Sequence, residues 1–297
     1  MPEMSIQLLG NSRYFSGFSI TSVKSLPGGL SQRLYQVQYR DNDVLKSVVV
    51  RCIQDTRLAC QEYELMQYAA DLAPRLRAIE HVDGQDGSFS IIVMDFIDGV
   101  LAKDSELSPM QLTTIVTQLT RLHQSLPSCP IKRASVNKLS LVDDYWQLIQ
   151  HPSLQDVTRF NSALALVSSL TFDNDVLIHG DLNLSNLIVS GDSIVWLDWE
   201  YASVGDAYFD YATLVVEAPY HLEQAIITAL ETAGNIAIDS ERLTRFKLYY
   251  ALVSWLWCLG GMQHSKTQTP QLTAALCKYQ QAVDQLIADI CASDNSL

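Results

Sequence analysis

His179-Gly180-Asp181-Leu182-Asn183-Leu184-Ser185-Asn186, followed by Asp198-Trp199-Glu200, is the stretch on which the reading of this chain turns. The apolar run Val176-Leu177-Ile178 leads into the first turn, Asn186-Leu187-Ile188-Val189 leaves it, and Ile194-Val195-Trp196-Leu197 leads into Asp198. Turns between strands attract Asp, Asn and Gly for conformational reasons alone. The spacing D-x-x-x-x-N, with a second Asp beyond the next strand, is something turns do not require. In phosphoryl transfer an Asp so placed orients the attacking hydroxyl and takes its proton, while the Asn and the second Asp hold a divalent cation against the phosphates. Asp181 is therefore the candidate catalytic group, and Asn186 and Asp198 are the candidate metal ligands.

The rest of the composition is compatible with that chemistry. A chain of 297 residues builds one large domain or two smaller ones. With 48% apolar and 18% charged residues it is globular, not disordered. A net charge of −13 argues against a nucleic-acid partner, which needs a basic footprint, and suits a cationic small substrate. The cysteines at 52, 60, 129, 258, 277 and 291 show neither CxxC nor His-paired spacing, so reduced thiols in a cytoplasmic protein are expected. Met1-Pro-Glu-Met-Ser-Ile6 shows no basic segment followed by an apolar run, so no signal peptide is expected. The longest apolar stretch, Leu248 to Met262, is too short for a membrane span and reads as a buried helix.

Along the chain, strands come first and helices later. Leu34-Tyr-Gln-Val-Gln-Tyr39 alternates apolar and polar residues, Asp41-Asn42-Asp43 makes a turn, and Ser47 to Ile53 forms a second strand. Leu58, Glu62, Leu65, Met66 and Ala69 then recur at helical spacing before Pro74, and Phe89 to Phe96 is a strand running into Asp98-Gly99. Ser108-Pro109 is a helix-start signal, with Leu112, Ile115, Val116, Leu119 and Leu122 on one face. Further helices are expected near 219–233, 240–263 and 270–291, the last capped at Thr269-Pro270. These elements make an α+β protein with a bilobal, protein-kinase-like fold. Its β-rich N-terminal lobe would span 1–98 and its helical C-terminal lobe 99–297.

A nucleotide would need a loop over its phosphates and a cation reaching them. Leu26-Pro-Gly-Gly-Leu-Ser-Gln-Arg33 supplies the loop: Gly28 and Gly29 lack a Cβ, and Ser31 adds a hydroxyl. Arg51 ends the Val48-Val49-Val50 strand, where protein kinases carry lysine, and its guanidinium is suited to forked phosphate contacts. Its expected partner is Glu62, which shares a helix face with Leu65, Met66 and Ala69; Glu64 is the rival. Val93 to Ile97 would be the hinge, with adenine against the Asp95 carbonyl and the Ile97 amide.

With these pieces assembled, residues 20–265 resemble the aminoglycoside phosphotransferase and choline kinase superfamily. The likeness is carried by Leu177-Ile-His-Gly-Asp-Leu-Asn-Leu-Ser-Asn-Leu-Ile188, against H-x-D-x-x-x-x-N. It is carried also by Val195-Trp-Leu-Asp-Trp-Glu-Tyr-Ala202, against the D-[FW]-E-[YF]-A of the choline, ethanolamine and thiamine kinase branches. The resemblance implies ATP and Mg2+ as cofactors, Asp181 as base, and Asn186 and Asp198 on magnesium. It implies a carboxylate from Glu200, beside Tyr201, near the acceptor site, the second metal or both. Asp206, Asp210 and Glu217 extend the similarity, and Asp210 and Glu217 are candidate substrate contacts, with helix capping or pairing to Arg242 or Arg245 as alternatives. Ser254-Trp-Leu-Trp257 resembles S-x-x-x-W-x-x-W, with Trp257 as one aromatic wall for a cation and Gly260 where a second tryptophan would stand. His123, after Leu119-Thr-Arg-Leu, is expected to be structural. The implied partner is a small alcohol, thiamine, choline or ethanolamine, with no nucleic acid and no membrane insertion. An aminoglycoside kinase and a non-catalytic nucleotide-binding module are the alternatives.

Overall fold

The computed structural model describes residues 6–26, 33–84, 87–125, 139–173, 176–264 and 269–294. The expected loop residues Gly28, Gly29 and Ser31 lie outside them. The chain divides into two compact units, Met1–Ser105 with Ser185–Ala202, and Glu106–Leu184 with Ser203–Leu297. The first crossing thus comes after Ser105 instead of at Asp98-Gly99. The turn carrying Asn186 and Asp198 groups with the β-rich unit, although Asp181 groups with the helical one.

Helix α1 (Ile6–Leu9) precedes strands β1 (Ser19–Leu26), β2 (Arg33–Asp41) and β3 (Val44–Ile53). Helix α2 (Thr56–Tyr68), β4 (Leu76–Gly84), β5 (Gly87–Asp95) and the short β6 (Val100–Leu101) follow. Five strands form an antiparallel sheet in the order β1-β2-β3-β5-β4. The period of two in β2 buries Tyr35, Val37 and Tyr39 against Val48, Val50, Cys52, Ile91 and Val93. Asn42 and Asp43 both adopt positive φ, 49° and 65°, as a two-residue hairpin turn between right-twisted strands requires. Arg51 alternates with Val50 and Cys52, so it leaves the other face of the sheet, where α2 packs on β3, β4 and β5. Asp55 caps α2, accepting from Arg57 N and Leu58 N, and Ala59, Glu62, Leu65 and Met66 form its buried face.

From Glu106 the chain is helical: α3 (Pro109–Gln124), α4 (Leu139–Gln147) and α5 (Leu154–Val167) lead to strand β7 (Val176–Ile178). Ser108 closes a capping box with Gln111 at the start of α3, as its sequence signals. Strands β8 (Leu187–Ser190) and β9 (Ser193–Trp196) form a hairpin that β6 extends, in the order β6-β8-β9. Strand β10 (Ser203–Gly205) pairs with β7. Helices α6 (Ala207–Glu217), α7 (Glu223–Thr232), α8 (Ser240–His264) and α9 (Pro270–Asp294) complete the second unit. The apolar stretch from Leu248 is the middle of α8, which packs against α4, α5, α6 and α9. Among the described residues no helix is long and apolar enough to cross a membrane.

Candidate active site

In the first unit the site is built around Arg51, which is 4% exposed. Its Nε lies 3.3 Å from Glu62 Oε1, and its Nη2 lies 2.6 Å from Asp198 Oδ1 and 3.6 Å from Glu200 Oε2. Glu62, not Glu64, is therefore the helix carboxylate that Arg51 meets. Burial alone would pull the guanidinium down, and the charges of Glu62, Asp198 and Glu200 outweigh it, holding Arg51 above its ordinary value.

The second acid sits on a pinned turn. Trp196 and Trp199 are fully buried and stack at 6.1 Å, and the Trp199 indole N–H donates to the Trp196 carbonyl at 3.1 Å. Between them Asp198 adopts the left-handed conformation, φ 61° and ψ 67°, ahead of a single 3-10 turn over Trp199–Tyr201. Leu197 N donates to the Asn186 carbonyl at 2.8 Å, tying the segments of the two candidate metal ligands together. Tyr201, at the end of that turn, is exposed.

Three carboxylates, those of Glu62, Asp198 and Glu200, thus gather around one guanidinium. No cluster of three or more His, Cys, Asp or Glu side chains forms a complete metal cage among the described residues. Magnesium does not need one: it takes one or two protein oxygens, and the phosphates and water complete its shell. The oxygen donors Asn186 and Asp198 fit that requirement. At the expected hinge, Asp95 ends β5 with its side chain held by Arg77 at 2.5 and 2.9 Å. Ile97 lies in the segment just before Asp98, whose carbonyl accepts from Ser190 Oγ at 2.7 Å.

In the second unit Asp181 follows β7 on a loop that is held from below. Asp210, in the first turn of α6, is fully buried and accepts from His179 N and Gly180 N, both at 2.9 Å. His123 Nε2 lies 3.0 Å from the same carboxylate, and Tyr211 Oη is 3.4 Å from His123 Nδ1. Gly180 takes φ 79°, which a residue with a Cβ rarely adopts. Asp210, with no exposed surface, thus supports the loop that carries Asp181. His123 is structural, as expected. Asn183 Nδ2 donates to Asp181 Oδ1 at 3.0 Å and fixes that side chain's orientation.

Neither Asp210 nor Glu217 pairs with Arg242 or Arg245. Arg242 instead meets Asp206, the α6 cap, at 2.5 Å and Asp173 at 2.8 Å, while Arg245 meets Glu241 at 3.1 Å. Glu217, the last residue of α6, accepts from Tyr250 Oη at 3.0 Å, Tyr279 Oη at 2.7 Å and Lys278 Nζ at 2.8 Å. Burial pushes the Tyr250 hydroxyl well up, with the charges of Glu217 and Asp181 adding to it. Burial and Glu217 raise Tyr279 as well, so both phenols remain donors. Tyr250 therefore lies within the electrostatic reach of both Glu217 and Asp181.

Trp257 is 37% exposed and lines a cavity of about 270 Å³ with Tyr145, Leu148, Leu256, Gly260 and Gly261. It is thus brought to the end of α4, while Glu217 is brought to α8 and α9 through Tyr250 and Tyr279. The sequence reading missed Tyr250, Tyr279, Lys278 and Asn183. Asn183 lay inside the quoted stretch, two residues from Asp181. The other three carry no local signal, because each joins Glu217 only through the packing of long helices.

A family model described as "Phosphotransferase enzyme family" matches residues 22–243. Protein LicA of Haemophilus influenzae is 28% identical over 204 residues, which cover 59% of this chain and 58% of that protein. The chain spans about half the length of the first curated relatives it matches. Among solved structures, choline kinase LicA from Streptococcus pneumoniae superposes with a TM-score of 0.72 at 18% identity, over 94% of this chain and 98% of that one. A spectinomycin phosphotransferase gives a TM-score of 0.66 at 15% identity, over 97% and 99%. Likeness at this identity shows the kinase-like fold.

Proposed function

The chain belongs to the phosphotransferase enzyme family, and from that premise we propose an ATP- and magnesium-dependent kinase acting on the hydroxyl of a small cationic metabolite. Choline, ethanolamine and thiamine are the acceptors of first choice. One observation carries the acceptor class. The Glu217 carboxylate, lined by Tyr250 and Tyr279, already holds an ammonium group, that of Lys278, against the Tyr279 ring, and the charge of Asp181 reaches the neighbouring Tyr250 hydroxyl. A carboxylate beside an aromatic ring is the arrangement that recognises ammonium cations.

Asp181, oriented by Asn183, aligns the acceptor hydroxyl and takes its proton as the oxygen bonds to the γ-phosphorus and the bond to the ADP oxygen breaks. Arg51 exchanges its contacts to Asp198 and Glu200 for phosphate oxygens and keeps Glu62 as its anchor. Asn186 and Asp198 would hold magnesium, which supplies neutralisation of the phosphate charge. Catalysis of this kind is positioning and electrostatics, with little covalent work for the protein. The three groups Asp181, Asn186 and Asp198 are all present, which favours a catalyst over a non-catalytic nucleotide-binding module.

The test is an ATP-consumption screen over choline, ethanolamine, thiamine, aminoglycosides and sugar alcohols, with wild-type protein and Asp181→Ala. Ammonium alcohols are expected to be turned over. Asp181→Ala should lower kcat by about 100-fold or more with ATP binding retained. Activity confined to sugar alcohols would overturn the cationic acceptor, and undiminished turnover by Asp181→Ala would overturn the base.

A further inference from the structure

Glu217 occupies an unfavourable place for an anion. It ends α6, and the carbonyl end of a helix dipole repels negative charge. Its side chain is only 13% exposed, so water screens it poorly. Two neutral phenols fill Oε1, and Oε2 takes the one cation that meets it among the described residues, Lys278, whose own side chain is 45% exposed. Lys278 Nζ also sits 5.3 Å from the centre of the Tyr279 ring. Lys278 therefore enters from solvent and places its ammonium where carboxylate and ring meet.

We propose that Lys278 is a resident surrogate for the acceptor's ammonium group: a cationic alcohol binds by displacing Lys278 from Glu217 and Tyr279, so that Lys278 sets both the affinity and the charge selectivity of the acceptor site. This inference rests on the acceptor assignment made above and names the residue that governs it. The exchange conserves charge, because one monocation leaves as another arrives. Lys278 gives up a contact from which water already reaches its side chain, and a long lysine returns to solvent readily. An uncharged alcohol of the same shape cannot make the exchange, since it would leave the Glu217 carboxylate without a cation. The surrogate thus does two things. It keeps Glu217 neutralised in the resting protein, and it admits only a ligand that can replace its charge.

The test is calorimetric titration in the absence of nucleotide, with choline and its uncharged carbon isostere 3,3-dimethyl-1-butanol as probes. The proteins are wild type, Lys278→Met, which keeps an unbranched apolar stem, and Lys278→Arg, which keeps the charge. Choline should bind Lys278→Met about tenfold tighter than wild type, the order expected for removing one competing charge-assisted hydrogen bond. Lys278→Arg should resemble wild type, and the isostere should bind none of the three proteins measurably, because in each it would leave the Glu217 carboxylate without a cation. Thermal unfolding of each variant confirms that it is folded. Unchanged, weaker or undetectable choline binding by Lys278→Met would overturn the inference, as would an equal gain for choline and isostere, which reports a reshaped pocket. Failure of the kinase reading is distinguishable. Tighter choline binding with no alcohol phosphorylated would leave the ammonium site standing and remove the transfer function. Phosphorylation of another alcohol without choline binding would do the reverse.

Discussion

Asp210 presents its two carboxylate oxygens to three partners. His179 N, Gly180 N and His123 Nε2 converge on it, and it has no exposed surface. Asparagine has almost the same shape but replaces one acceptor with an NH2 group, which would face a backbone N–H. Asp210→Asn is therefore expected to lose about 2–4 kcal/mol of stability, the scale for breaking a buried, charge-assisted set. It should lower kcat more than ATP affinity, because the loop it supports carries Asp181. Urea unfolding and steady-state kinetics on the one variant check both parts, and an unaltered kcat at lowered stability would confine Asp210 to folding. Asp198 stands in similar tension: its left-handed backbone costs about 1 kcal/mol or more, and the stacked pair Trp196 and Trp199 holds it there. At this scale the sequence was most legible where chemistry repeats locally. Glu62 was identifiable as the Arg51 partner because helical periodicity placed it among Leu65 and Met66. The contacts of Glu217 were not, since Tyr250 lies 33 residues away and Tyr279 lies 62 away, and no local pattern encodes such a meeting.

Elements were legible in proportion to how sharply they separate an apolar face from a polar one. Helix α2 announces itself by apolar residues every third or fourth position, and α3 by its Ser108-Pro109 start as well, and both occur where expected. Helix α6 gives no such signal, because Phe209 through Val215 are all buried and a helix enclosed on every side loses its periodicity. Strand β4 was missed for the opposite reason: Arg77, Glu80 and His81 interrupt its apolar residues, as suits the edge of the sheet. The capping box at Ser108 offers a quantitative test of an element read correctly. Its hydroxyl accepts from Gln111 N at 3.2 Å while Gln111 Oε1 accepts from Ser108 N at 2.8 Å. Ser108→Ala removes the first bond and weakens the second, so it should cost about 1 kcal/mol in denaturant unfolding. Ser108→Asp should restore it, through an acceptor and a charge suited to a helix N-terminus. Equal stability of wild type and Ser108→Ala would show that water replaces the cap without loss.

For the molecule as a whole, the chain crosses between two units three times, after Ser105, Leu184 and Ala202, and each unit contains buried apolar residues. A buried thiol happens to sit in each. Cys52 lies in the sheet core, 4% exposed, and Cys258 lies in α8, 1% exposed. Burial pushes both thiols up to about 12, so about one in ten thousand would be ionised at pH 8 and open to a thiol reagent even if it were reached. Cys60, Cys277 and Cys291 are exposed. In a variant with those three and Cys129 changed to Ser, labelling of Cys52 and Cys258 reports the opening of one unit each. A chain of two compact units departs readily from a single all-or-none transition. Labelling along a urea series, resolved by mass spectrometry of the two cysteine peptides, should therefore give two distinct midpoints. ATP with magnesium should raise the Cys52 midpoint, since Arg51, Asn186 and Asp198 all belong to that unit and a ligand stabilises what it binds. Coincident midpoints, with and without nucleotide, would instead show that the three crossings bind the units into a single folding transition.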